Sequence, residues 1–151
     1  MMDRKADNRI RIGSAERDRV KPRGPMNRCP CGSGKSFDRC CGTYLVGAVP
    51  APTAEALMRS RYSAYSLGCE AYLLMTWHAS TRPASLALDT EPRPRWIGLE
   101  IRRHEVQSDD HATVEFIARY RVGGRAHRLH ETSRFVREDG RWFYVDGDVS
   151  E

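Results

Sequence analysis

A chain of 151 residues with 25 Lys and Arg against 20 Asp and Glu carries a formal charge of +5, and its length suits one domain with small appendages. No stretch approaches the ~18 consecutive apolar residues of a membrane helix, so no membrane partner is expected. The charge is uneven: residues 1–28 hold nine basic residues and four acids, and the chain beyond them is balanced.

Residues 1–26 are polar, poor in aliphatic side chains and closed by Lys21-Pro22-Arg23-Gly24-Pro25. Such a segment buries too little apolar surface to offset the entropy of ordering, so it reads as a disordered basic tail. Clustered arginines attract phosphate, and a nucleic-acid or ribosome-contacting arm is one reading. Its interleaved acids weaken that reading in favour of a solvated extension. Met26 stands just ahead of the next motif and is an alternative start.

Residues 29–41 read Cys-Pro-Cys-Gly-Ser-Gly-Lys-Ser-Phe-Asp-Arg-Cys-Cys, four cysteines within thirteen residues. A segment this short has no room for a core, but a bound metal can supply the folding free energy that burial cannot. Cys29 and Cys31 point to one side of an extended segment. Gly32 and Gly34 permit a tight turn that directs amide N–H groups at sulfur. Four thiolates around a divalent ion leave a charge of about −2, which Arg28, Lys35 and Arg39 are placed to offset. The alternatives fit less well. No secretory signal opens the chain, which argues against disulfides and for a cytoplasmic protein. The cysteine total of five is odd, and no Cys-x-x-Cys redox motif is present. Cys29, Cys31, Cys40 and Cys41 are therefore the expected metal ligands. Zinc is the default for a closed four-sulfur site, and iron would satisfy the same ligands.

From Tyr44 to Pro52 the sequence reads as a linker. Thr53 then announces a helix as its N-cap, with Glu55 in the first turn. Leu57, Met58, Arg61, Tyr62 and Tyr65 recur at helical spacing, and Gly68 ends the element. A second helix is expected from Cys69 to His78, and one or two further turns over Pro83 to Leu88. From Trp96 the period becomes two. Four strands are expected over Trp96 to Val106, His111 to Val122, Arg125 to Val136 and Arg141 to Val149. Asp109-Asp110, Gly123-Gly124 and Glu138-Asp139-Gly140 supply the turns. Helices followed by four antiparallel strands define an α+β fold in which one sheet curls around the helices.

The stretch CPCGSGKSFDRCCG resembles the SEC-C motif, known from the tail of the preprotein translocase motor. Cysteine spacing, the GSGK loop, Phe37 and Gly42 all fit, with Cys41 where many members have histidine. LMRSRYSAY (57–65), AYLLMTWH (71–78), WIGLEI (96–101) and SRFVREDGRWFYVDG (133–147) are similar to the YchJ-like family, which joins a SEC-C knuckle to a nuclear-transport-factor-2-like domain. The resemblance covers about residues 27–149. It implies a metal knuckle over 27–43 and a cone-shaped barrel over 53–149, with N-terminal helices packed on a curved antiparallel sheet. Some relatives carry a second knuckle after the last strand, whereas this chain stops at Glu151, so no function requiring two knuckles is expected.

Cones of this kind enclose a pocket, and Arg59, Arg61, Tyr62, Trp77, His78, Glu131, Ser133 and Asp146 are the polar or aromatic candidates for it. Arg59 lies off the apolar face and is expected outward. His78 is expected to cap its helix or to hydrogen-bond with backbone; a dyad of His78 with Glu131 or Asp146 is the catalytic alternative. If Leu129 faces the core, Glu131 and Ser133 share that face, and Glu131 then needs a partner such as Arg61 or Arg134. Cys69 reads as a small buried hydrophobe. Two functions follow. One is a metal-binding interaction or adaptor module whose knuckle contacts a protein or the ribosome, with the barrel as scaffold or homodimer unit. The other is a small-molecule hydrolase or isomerase whose pocket lies in the barrel beside a structural zinc.

Overall fold

Helix formation starts inside the cysteine segment. In this computed structural model, which describes residues 27–47 and 49–150, a 3-10 turn over Phe37–Arg39 runs into α1 (Cys41–Leu45). The expected linker therefore begins later than Tyr44, because the Val46 N–H still bonds to the Gly42 carbonyl at 3.1 Å. The basic segment 1–26, with its reading as a disordered tail and its nucleic-acid arm, lies outside the described residues.

Helix α2 (Ala54–Leu67) has the ends its sequence calls for. The Thr53 hydroxyl accepts from the Ala56 N–H at 3.0 Å, satisfying one of the orphan donors of the first turn. Gly68 turns left-handed at φ 77°, and the Cys69 N–H closes on the Ala64 carbonyl at 2.8 Å, a glycine-terminated helix end. Helix α3 (Glu70–Met75) is shorter than expected. Beyond Thr76 the backbone leaves the helix and pairs with a strand: the Tyr144 N–H bonds to the Thr76 carbonyl at 2.9 Å, and the His78 N–H to the Tyr144 carbonyl at 2.8 Å. Residues 83–88 form no helix. There the Leu86 N–H is satisfied by the Glu70 carboxylate at 2.8 Å instead of by a helical turn, while Leu86 and Leu88 pack against Ala64, Tyr72 and Leu73.

The strands β1 (Arg95–Ser108), β2 (His111–Val122), β3 (Arg125–Glu138) and β4 (Arg141–Ser150) form one antiparallel meander in the order β1-β2-β3-β4. Register shifts occur at three places along β1 and β2 and at one between Arg134 and Phe135. Each bends the pleat and strengthens its twist, and the sheet curves around α2. Leu57, Met58 and Tyr62 of α2 meet Val114, Phe116, Ala118 and Phe135 of the sheet in one buried cluster. Each such large side chain contributes about 1.5–3 kcal/mol by leaving water. Cys29, Cys31 and Cys41 belong to that same cluster. The knuckle is thus packed onto the barrel helix and shares its core.

Candidate metal centre and the barrel cavity

The knuckle is built by a few short backbone bonds. The Cys29 N–H bonds to the Lys35 carbonyl at 2.9 Å and the Gly32 N–H to the Cys29 carbonyl at 3.2 Å, folding the chain back within seven residues. Gly32, at φ 81°, passes over the backbone of β1, where an added Cβ would lie 3.5 Å from the Leu99 carbonyl oxygen. The 3-10 turn then delivers Cys40 and the start of α1 delivers Cys41. The sulfurs of Cys29, Cys31, Cys40 and Cys41 all lie within 4.8 Å of one another, with Cys31 and Cys40 3.6 Å apart. Tetrahedral bonds of about 2.3 Å place sulfurs about 3.8 Å apart. No disulfide joins these cysteines. Four cysteines so close together fit a metal site.

Cys29, Cys31 and Cys41 are buried, and Cys40 is half-buried. Contacts with the Cys29 and then the Cys41 thiol hold Cys31 well below the ordinary thiol range. Hydrogen bonds with Cys29 and Cys31 push Cys41 well above it. Cys29, Cys31, Cys40 and Cys41 would hold a divalent ion as thiolates, and its binding would release their protons. As expected of the glycine turn, backbone amides face sulfur: those of Cys31 and Ser33 favour the charged forms of Cys29 and Cys31.

The surrounding shell differs from the expected one. Arg59 reaches in from α2, its Nη1 donating to the Cys31 carbonyl at 3.0 Å and lying 3.8 Å from the Cys31 sulfur, while its Nε donates to Glu55 at 3.1 Å. Burial opposes the Arg59 charge, but the contacts with Cys31 and Glu55 outweigh it and raise its pKa. The expectation that Arg59 points outward is corrected: the face of α2 away from the barrel core is the face the knuckle covers. Lys35 and Arg39 line the groove beside Cys40 and Arg59, whereas Arg28 is exposed and pairs through its backbone with Ser36. Ser63 lies 3.5 Å from the Cys29 sulfur and Ser33 3.2 Å from that of Cys40. Neither contact was read from the sequence. The signal lay in the RSRYS stretch, where Arg59 and Ser63 are four residues apart and share a helix face.

Between α2 and the inner face of the sheet lies an open cavity of about 250 Å³ with mainly apolar walls that include Met58, Tyr62, Trp96 and Leu129, and with Arg61, Glu131, Ser133 and Tyr144 as polar members. Arg61 is 3% exposed. Its Nη1 donates to the Leu73 carbonyl at 2.8 Å and to the Thr76 hydroxyl at 2.7 Å. Its guanidinium lies 5.0 Å and 4.6 Å from the ring centres of Trp77 and Tyr144, a favourable cation–π arrangement. Leu129, Glu131 and Ser133 do share the inner face. Glu131 accepts from Ser133 at 2.7 Å and from the Tyr144 hydroxyl at 3.3 Å. Neither expected arginine pairs with it: Arg61 donates to Leu73 and Thr76 instead, and Arg134 points to the outer face and binds Asp146 and Asp148.

The dyad of His78 with Glu131 or Asp146 is not formed. The His78 Nε2 pairs with Glu138 at 2.8 Å and its Nδ1 with Ser80 at 2.7 Å, because the chain turns off α3 before His78 and carries the ring to the end of β3. Asp146 is held on the outer face by Arg134 at 2.6 Å. Cys69 packs against the smaller cluster around Leu73, and burial pushes its thiol up, which suits the buried-hydrophobe reading.

A cysteine knuckle docked on a helix-filled cone has counterparts among known proteins. Residues 27–43 match the SEC-C motif, and residues 53–147 match the family described as YchJ, middle NTF2-like domain. The solution structure of a SEC-C motif containing protein from Rhodopseudomonas palustris superposes with a TM-score of 0.72 at 35% identity, covering 82% of this chain and 98% of that one. The crystal structure of a SEC-C motif containing protein from Psychrobacter arcticus gives 0.70 at 29% identity, over 84% and 85%. Fold and motif thus define a SEC-C protein with an NTF2-like α+β domain. A UPF0225 protein from Chromobacterium violaceum is 61% identical over 126 residues, 81% of this chain and 93% of the relative. One from Ralstonia nicotianae is 58% identical over 137 residues, 83% and 94%. The chain belongs to this YchJ-like UPF0225 family.

Proposed function

We infer that this protein is a zinc-binding interaction module of the cytoplasm, in which Cys29, Cys31, Cys40 and Cys41 hold the ion and the exposed rim of the knuckle contacts a protein partner or the ribosome. The closure of the site carries the reading. Four sulfurs within 4.8 Å leave a four-coordinate ion no open position for water or substrate, so the metal would serve structure and surface. Zinc is favoured over iron because it has no redox chemistry and readily accepts a closed tetrahedral site. A cytoplasmic setting is consistent with five free thiols. No helix among the described residues is long and apolar enough to cross a membrane.

The contact surface would be the groove beside Cys40, where Lys35, Arg39 and Tyr44 stand around the half-buried sulfur. Lys35→Glu with Arg39→Glu tests this without touching a ligand. The double variant is expected to retain its metal and its melting temperature while losing the proteins or ribosomal particles that cross-link to the wild type. An unchanged cross-linking pattern would refute the knuckle as the contact surface.

The barrel cavity favours a second reading, small-molecule binding beside a structural zinc. Its support is the buried Arg61 and the half-buried Glu131 at an apolar space of about 250 Å³. Thermal shifts with small aromatic carboxylates, present in the wild type and absent in Arg61→Met, would support it; no shift in either would count against it.

A further inference from the structure

Two charged side chains line the barrel cavity, Arg61 from α2 and Glu131 from β3, and they do not pair with each other. Arg61 is buried, yet among the described residues no carboxylate neutralises it. Only its Nη1 has hydrogen-bond partners there, the Leu73 carbonyl and the Thr76 hydroxyl, which leaves Nε and Nη2 free. Buried charges are ordinarily paired, and the rings of Trp77 and Tyr144 offset only part of the cost. Glu131 accepts from Ser133 and Tyr144 through Oε2, while its Oε1 has no partner among the described residues. Gly147 makes room for this carboxylate. It stands opposite Ser133 in the register, and a Cβ there would run into the Glu131 side-chain oxygen. Glycine within a strand weakens it and marks a close approach, here that of a carboxylate at the cavity wall.

Much of the remaining wall is aromatic. Tyr62 and Tyr65 meet the Trp96 ring with centres 5.9 and 6.0 Å apart, and all three line the cavity. Trp96 continues to Tyr120 at 5.0 Å, and Tyr120 stacks on the exposed His127, so rings lead from the cavity to the edge of the sheet. An apolar cavity of about 150 Å³ holds one benzene ring. The 250 Å³ here leaves space for about three further water-sized groups, at about 30 Å³ each. We propose that the cavity binds a single-ring aromatic carboxylate that bears a hydroxyl group, with its carboxylate on the free nitrogens of Arg61, its ring against Tyr65 and Trp96, and its hydroxyl donating to Glu131. The proposal rests on the small-molecule reading of this cavity and specifies the two polar handles that select the ligand.

The test titrates the full metal-loaded chain by calorimetry with meta- and para-hydroxybenzoate, the two corresponding hydroxybenzamides, and benzoate. The better hydroxybenzoate should bind at least about tenfold more tightly than its amide, which brings no charge to Arg61. It should exceed benzoate, which has no donor for Glu131, by a similar factor. Gly147→Ala displaces the flexible end of Glu131 and leaves Arg61 in place, so it should erase the preference over benzoate and keep the preference over the amide. Arg61→Met should erase the preference over the amide. Arg61 also holds Leu73 and Thr76; should that variant fail to fold, the wild-type panel and Gly147→Ala carry the test. Equal wild-type affinity for acid and amide, or for hydroxybenzoate and benzoate, would overturn the proposal while leaving a small-molecule site of other chemistry. Unchanged preferences in folded Gly147→Ala would remove Glu131 from the site and overturn it too. Binding of none of these compounds would overturn the proposal and count against the small-molecule reading as well.

Discussion

Gly42 has no room for a side chain: a Cβ there would lie 2.7 Å from the Phe37 carbonyl oxygen and 3.0 Å from its ring. Both obstacles belong to the turn that delivers Cys40, so relief requires movement between two ligands. Gly42→Ala should destabilise the protein by about 1–3 kcal/mol and speed metal loss to a chelator, whereas Gly47→Ala, strained by its φ of 82° but with open space around it and no contact with the cysteine turn, should leave metal loss unchanged. Fluorescence of a zinc-responsive chelator reads the difference. A second single-residue prediction concerns Asp148, which accepts from both terminal nitrogens of Arg134 at 2.8 and 3.3 Å. That guanidinium holds the Asp148 carboxyl below the ordinary range. Its contribution to stability is therefore present above the unfolded value of about 3.9 and is lost as pH falls through the lower folded value. A carbon-detected NMR titration should show the Asp148 midpoint rising toward the ordinary value in Arg134→Gln; an unmoved midpoint would sink the assignment.

Helix α2 joins the two halves of the protein, with Arg59 and Ser63 under the knuckle and Leu57, Met58 and Tyr62 in the barrel. Thr53→Ala removes its N-cap and should cost about 1 kcal/mol in denaturant unfolding, a loss felt in both halves. The strands were legible in the sequence because period-two alternation and the turn pairs Asp109-Asp110, Gly123-Gly124 and Asp139-Gly140 are local signals. The caps of α2 were legible for the same reason. Pro83 to Leu88 misled because its apolar residues pack on the α3 cluster from irregular backbone held by Glu70. The four cysteines announced themselves by spacing, but their shell did not. Arg59 belongs to the site only because the knuckle folds back onto α2, and His78 meets Glu138 across sixty residues. Long-range docking of this kind leaves no period in a sequence.

Because Cys29, Cys31 and Cys41 lie in the same cluster as Leu57, Phe116 and Phe135, removal of metal should not simply loosen an appendage. Chelation is expected to lower the melting temperature of the barrel in a single transition followed equally by Trp fluorescence and far-ultraviolet circular dichroism; an unchanged barrel transition would contradict the shared core. High pH should unfold the metal-loaded protein for a different reason. Burial raises the pKa of Tyr62, Tyr65 and Tyr72, and burial followed by Glu131 raises that of Tyr144. Their stabilising effect is complete below the unfolded value of about 10 and falls away as pH rises above it, so tyrosinate absorbance should appear together with loss of structure. The most direct measurement is elemental analysis of untagged protein alongside Cys29→Ser and Cys40→Ser. One zinc per chain in the wild type and none in either variant is the expected result. Metal-free wild type with reactive or oxidised thiols would contradict the metal centre and transfer these four cysteines to thiol redox chemistry.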